Sequence, residues 1–121
     1  MEDYFENNWR ETSTPPDEKT EPNVELEVYG YRVSVERDVR GDGSPCWVTY
    51  VEGYTTDGYE CLEDGRFEAD THEEAKRLGV KYLLREIETY LMVFEERLAG
   101  WRHLKEQALR YLVKLDMGAA S

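Results

Sequence analysis

Residues 65–87 read GRFEADTHEEAKRLGVKYLLREI. The stretch changes its period part-way through. Up to Ala69 the apolar positions alternate as on a strand. From Thr71 the spacing is that of a capping box, in which a threonine side chain accepts a backbone N–H and Glu74, three residues on, answers it. Glu73 and Glu74 also suit the positive end of a helix. Ala75, Leu78, Tyr82, Leu83 and Ile87 then recur at helical spacing. The stretch therefore predicts a sheet that hands over to a helix covering one of its faces, with Gly79 on that face to permit a close approach.

Working towards the amino terminus, VELEVYGYRVSVE (24–36) alternates with period two. Val24, Leu26 and Val28 share one face, and after Gly30 the parity flips to Tyr31, Val33 and Val35. A β-bulge or a strand break at Tyr29-Gly30 reconciles the halves. CWVTYVEGY (46–54) is apolar on both faces, as a central strand is. RGDGSP, TTDG and LEDG all supply Asp-Gly or a like turn signal. The expectation is a meander of three or four antiparallel strands over 24–70, followed by two C-terminal helices, 72–98 and 101–116, or one long helix: an α+β fold.

Apolar spacing continues through Tyr90, Leu91, Phe94, Leu98, Trp101, Leu104, Ala108, Leu112 and Leu115. A single 45-residue helix would extend about 67 Å at 1.5 Å per residue, more than so small a domain can cover. A break at Ala99-Gly100 would fold it into a hairpin. Otherwise Leu91, Phe94, Leu98 and Trp101 would pair two copies, making a homodimer. Residues 1–22 mix Asn-Asn, Pro-Pro and acids, and read as an acidic flexible leader whose Tyr4, Phe5 and Trp9 dock onto the domain 23–121.

The 121 residues carry a formal net charge of −12, with 27 acids and 15 bases. Residues 71–121 hold eight of those acids and nine bases, so the acidity lies ahead of the helical part. Such a chain repels nucleic acid, and no direct contact with it is expected. No apolar run reaches the roughly 18 residues of a membrane span. With no secretory start, the expected location is cytoplasmic.

Signs of catalysis are weak. The acids alternate with apolar residues or cluster at turns instead of converging, no serine–histidine–acid set stands out, and His72 and His103 lack metal-ligand spacing. Cys46 and Cys61 read as structural thiols, and Arg40-Gly41-Asp42 as turn chemistry. No cofactor, metal or enzymatic activity is expected. The informative feature is aromatic: tyrosines in the sheet interleave with carboxylates, a surface suited to a basic protein partner. The expected contact residues are Glu27, Tyr29, Asp38, Asp42, Tyr50, Glu52, Tyr54, Asp57, Glu60, Glu63 and Asp64.

YRVSVERD, CWVTYVEGY and THEEAKRLGVKYLL, within about residues 31–84, resemble the partial RNase-H-like unit of HicB-type antitoxins, with Thr71, Glu74 and Ala75 matching its helix entry. That resemblance implies a small basic toxin as partner. The extra LEDG turn and the helical carboxy-terminal part differ from that family. A second class fits the charge without kinship: small acidic α+β proteins of phages and mobile elements that block a nucleic-acid-handling enzyme by placing carboxylates where phosphates bind. The expected function is accordingly a non-enzymatic acidic protein-binding module inhibiting such an enzyme. The alternatives are an antitoxin and a helix-mediated oligomerisation module.

Overall fold

A computed structural model describes residues 4–120, with side chains to residue 118. The first three residues of the expected leader lie outside this range. The fold is α+β: a five-stranded antiparallel sheet in the order β1-β2-β3-β4-β5, followed by a long helix. The strands are β1 (Arg10–Glu11), β2 (Val24–Val28), β3 (Tyr31–Val39), β4 (Pro45–Thr55) and β5 (Gly58–Ala69). A short helix, α1 (Tyr4–Asn7), precedes them and α2 (His72–Ala120) follows.

Residues 24–69 form four strands, the upper number expected, and the sheet gains a fifth because Arg10 and Glu11 in the leader pair with Glu25 and Val24. Leader residues beyond the strand are held as well. Thr12 N–H donates to Asn23 O at 2.8 Å, and Asp17 Oδ1 accepts from the N–H groups of Lys19 and Thr20 at 2.8 and 2.7 Å. Trp9 packs against the core around Val24, Val35, Ala69 and Ala75.

The parity flip at residue 30 is a hairpin. Val28 pairs with Tyr31, leaving Tyr29-Gly30 as a two-residue turn, both with positive φ (42° and 86°). This is the combination of a type I′ turn, whose twist matches the flanking strands. The expected reversal at LEDG is absent. β5 runs through it, pairing Cys61 with Glu52 and Arg66 with Tyr50, so Leu62–Gly65 bulge outward opposite Val51 alone. Asp64 takes φ 57° there, and Tyr82 O–H donates to Glu63 O at 2.6 Å. The bulge absorbs the surplus residues of β5, so Cys61 and Arg66 stay on one face with their partners Glu52 and Tyr50.

The chain divides into two compact units, Met1–Arg85 and Glu86–Ser121. In the first, the sheet face of Val24, Leu26, Val33, Val35, Thr49, Val51 and Ala69 is buried, and His72, Ala75, Gly79 and Leu83 are the buried positions of its helical segment. Thr71 caps α2 as its spacing predicts, accepting Glu74 N–H at 3.1 Å. Thr49 Oγ1 donates to Ala75 O at 2.6 Å, tying the centre of β4 to the helix.

The second unit is helical from residue 86 to 120, and the break expected at Ala99-Gly100 does not occur. Glycine lowers helix stability by about 1 kcal/mol relative to alanine, which good formers on either side can absorb. Leu91, Phe94, Leu98 and Trp101 are all exposed on this unit, Trp101 at 71%. No described helix is long and apolar enough to cross a membrane.

Candidate protein-interaction surface

The sheet face opposite the first unit's helical segment carries an ion-pair network, built by period-two alternation. Arg32 on β3 lies across from Glu52 on β4. Its Nε and Nη2 donate to the two Glu52 oxygens at 3.0 and 3.1 Å, and Ser34 Oγ donates to Glu52 Oε1 at 3.0 Å. Glu25 on β2 joins from 3.9 Å and also pairs with Arg10, which reaches Glu27 at 3.6 Å. The Arg32 guanidinium stands 4.2 Å over the ring of Tyr59. Glu52 holds the Arg32 guanidinium firmly protonated through the paired hydrogen bonds. Thr12, Glu25, Arg32, Ser34, Glu36, Tyr50 and Glu52 line a depression of about 420 Å³ over this network.

The residues singled out by sequence fall into four places. Tyr50 and Glu52 line the depression, and Glu52 is committed to Arg32 and Ser34. Asp38 and Asp42 stand at the β3–β4 end. There Asp42 Oδ1 accepts Ser44 N–H at 2.9 Å and Ser44 O–H at 2.6 Å, while Asp38 accepts Val39 N–H at 2.7 Å. The two bonds from Ser44 lower the Asp42 carboxyl below the usual aspartate range. Glu63 and Asp64 are exposed on the β5 bulge.

Glu27, Tyr29, Tyr54, Asp57 and Glu60 gather at the opposite end of the sheet. The β2–β3 turn is joined to β4 by Tyr54 N–H donating to Gly30 O at 2.8 Å. Tyr54 meets Tyr59 edge-to-face with ring centroids 5.3 Å apart. Gly53 pairs with Glu60, and Asp57 sits in the turn closing β4 on β5. Tyr29 is fully exposed and Tyr54 67% exposed. Among the described residues no basic side chain pairs with Asp57, Glu60, Glu63 or Asp64.

Arg32, Glu25 and Tyr59 were not among the sequence-derived contact residues. Alternation alone places them on a face. Their convergence depends on register between strands that are distant in sequence, for which the sequence carries no separate signal.

His72 is buried at the start of α2 and fastens the leader. Its Nε2 lies 3.0 Å from Pro22 O, its Nδ1 lies 2.8 Å from a Glu21 oxygen, and its ring meets Trp47 edge-on at 4.7 Å. Burial pushes its pKa below the ordinary histidine value, outweighing the upward pull of Glu21 and Pro22 O. The register sets Cys46 opposite Asp38 and Cys61 opposite Glu52, well apart along β4, and both thiols are free. No group of three or more histidine, cysteine or acidic side chains suited to a metal ion occurs among the described residues.

No family model, curated protein or solved structure matches this chain.

Proposed function

We propose that the chain is a non-enzymatic, acidic protein-binding module that engages a basic, nucleic-acid-handling protein and blocks its polyanion site. Residues 1–85 hold 21 acids against 10 bases, and five of those bases, the arginines at 10, 32, 40, 66 and 77, are already in ion pairs. Of the carboxylates outside those pairs, Asp38, Asp42, Asp57 and Glu60 lie at the sheet ends and Glu63 and Asp64 on the bulge, where arginines or lysines of a partner can reach them.

The observation that supports this reading most is Tyr29. A bulky side chain at positive φ costs on the order of 1–2 kcal/mol, and asparagine or glycine is the usual residue at this turn position. Tyr29 accepts that strain while fully exposed, so its ring gives the free protein nothing in return. A rigid aromatic at the tip, flanked by Tyr54 and by the carboxylates of Glu27, Asp57 and Glu60, is what a contact anchor requires. A small basic toxin, the partner implied by the antitoxin resemblance, would also suit this surface. The order of β3, β4, β5 and the capped helix favours it.

The test compares the wild-type chain with a variant carrying Glu27→Lys, Asp57→Lys, Glu60→Lys and Glu63→Lys. Both serve as bait in nuclease-treated native-host lysate, eluted by stepwise salt and identified by mass spectrometry. A basic nucleic-acid enzyme or small toxin retained by wild type, released as salt rises and lost by the folded variant is the expected result. Equal retention by the two baits contradicts the electrostatic reading.

A further inference from the structure

The side chains of residues 86–118 follow a seven-residue period. Ile87, Phe94, Trp101, Ala108 and Leu115 recur every seven residues, as do Leu91, Leu98, Lys105 and Leu112, each four residues after a member of the first set. These are the d and a positions of a coiled-coil seam. The helix runs unbroken through Gly100, so this segment has no fold-back of its own to cover the seam. Leu91, Phe94, Leu98, Trp101, Leu112 and Leu115 are between 39% and 71% exposed.

The charges beside the seam discriminate among ways of covering it. In a parallel pair, Arg97 of each copy would face Arg102 of the other, and the two Lys105 side chains would meet in the core. An antiparallel pair centred between Leu98 and Trp101 sets Glu95 of each copy against Arg102 of the other, forming two opposite-charge contacts and no like-charge one. Moving that pair by one heptad brings Arg102 against Arg102 in one direction and Glu95 against Glu95 in the other. Sizes match in the same register. Leu91 falls opposite Ala108, large against small, Leu98 opposite Trp101, and Lys105 opposite Phe94, whose ring accepts a cation.

We propose that two copies of this chain associate through an antiparallel pairing of their C-terminal helices, with Leu98 of one copy packed against Trp101 of the other. Like-charge contacts act against the parallel and shifted arrangements, as charges flanking a coiled-coil core do. The proposal is independent of the acidic surface, because none of its residues lies in the sheet.

Sedimentation equilibrium of the full chain is expected to give a dimer. Arg102→Glu is expected to weaken it roughly tenfold, by replacing two attractions with two repulsions. Adding Glu95→Arg to that variant should restore the affinity. In a parallel dimer Arg102→Glu would instead tighten association, because the introduced carboxylate would then face Arg97. Orientation is read separately in a Cys61→Ser background under mild oxidation. A mixture of Leu91→Cys and Ala108→Cys chains should form a disulfide-linked heterodimer, and Leu91→Cys alone should form none. A monomer across the micromolar range, tighter binding by Arg102→Glu, or self-linking of Leu91→Cys each overturns the proposal.

Discussion

Gly79 lies so close to Val33 that a β-carbon on the glycine would fall 2.5 Å from Val33 Cγ1 and 2.6 Å from Thr49 Cγ2. Val33 and Thr49 are fully buried in the sheet centre, so neither can step aside. Gly79→Ala should therefore destabilise the protein by about 1–3 kcal/mol through overpacking, although alanine is intrinsically the better helix former by about 1 kcal/mol. Urea unfolding monitored by circular dichroism measures this. A gain in stability would show that the helix can lift from β3 without loss.

Thr49 supplies the matching polar contact through its 2.6 Å bond to Ala75 O. Thr49→Val keeps the shape and removes the donor, and the expected cost is about 1 kcal/mol. Combining it with Gly79→Ala should give a non-additive loss, since both changes act where the helix meets β4. Strict additivity in a double-mutant cycle would separate the two contacts.

Tyr29→Asn is expected to raise stability by about 0.5–1 kcal/mol, because asparagine tolerates the positive φ that the turn imposes. The same variant should lose partner retention in the lysate capture. A change that stabilises the free protein and weakens binding would mark Tyr29 as a contact residue. Unaltered retention would leave the ring without a role.

His72 gives a pH dependence whose sign follows from its lowered pKa. In the unfolded chain the imidazole titrates near pH 6.5. Just below that pH the unfolded chain binds a proton that the folded protein does not. Stability is therefore full above about pH 6.5 and is lost as the pH falls towards the folded value. His72→Gln should remove this slope between about pH 7.5 and 5.5 in thermal melts, at the cost of lower stability at the upper end of that range. Parallel pH profiles for the two proteins would assign the slope to the acidic groups instead.

The sheet-to-helix junction was legible because its signals are local: the Thr71–Glu74 spacing and the alternation on either side of Tyr29-Gly30. The features that escaped reading are settled by distant residues. LEDG carries ordinary turn chemistry, yet β4 is long enough to pair with both Gly58–Cys61 and Arg66–Ala69, and the Tyr82 bond to Glu63 O holds the intervening residues outward. Gly100 signalled a helix end, but a glycine without a proline or a capping partner is only a modest local penalty. The tyrosine-and-carboxylate composition pointed to an aromatic and acidic sheet surface, the candidate contact surface. Which carboxylates are already bound, above all Glu52 by Arg32, follows from strand register and could not be read from spacing.

The bulge at Leu62–Gly65 also bears on the addition of strands to the sheet edge. β5 is an edge strand, and a straight twelve-residue edge offers a continuous row of free N–H and C=O groups on which another chain can add. Here four residues stand opposite Val51 alone, Asp64 turns through positive φ, and Glu60, Glu63 and Glu68 line the strand. An arriving strand would meet two short stretches out of phase with each other and the exposed carboxylates of Glu60, Glu63 and Asp64. The β5 edge is thereby closed to the addition of further strands.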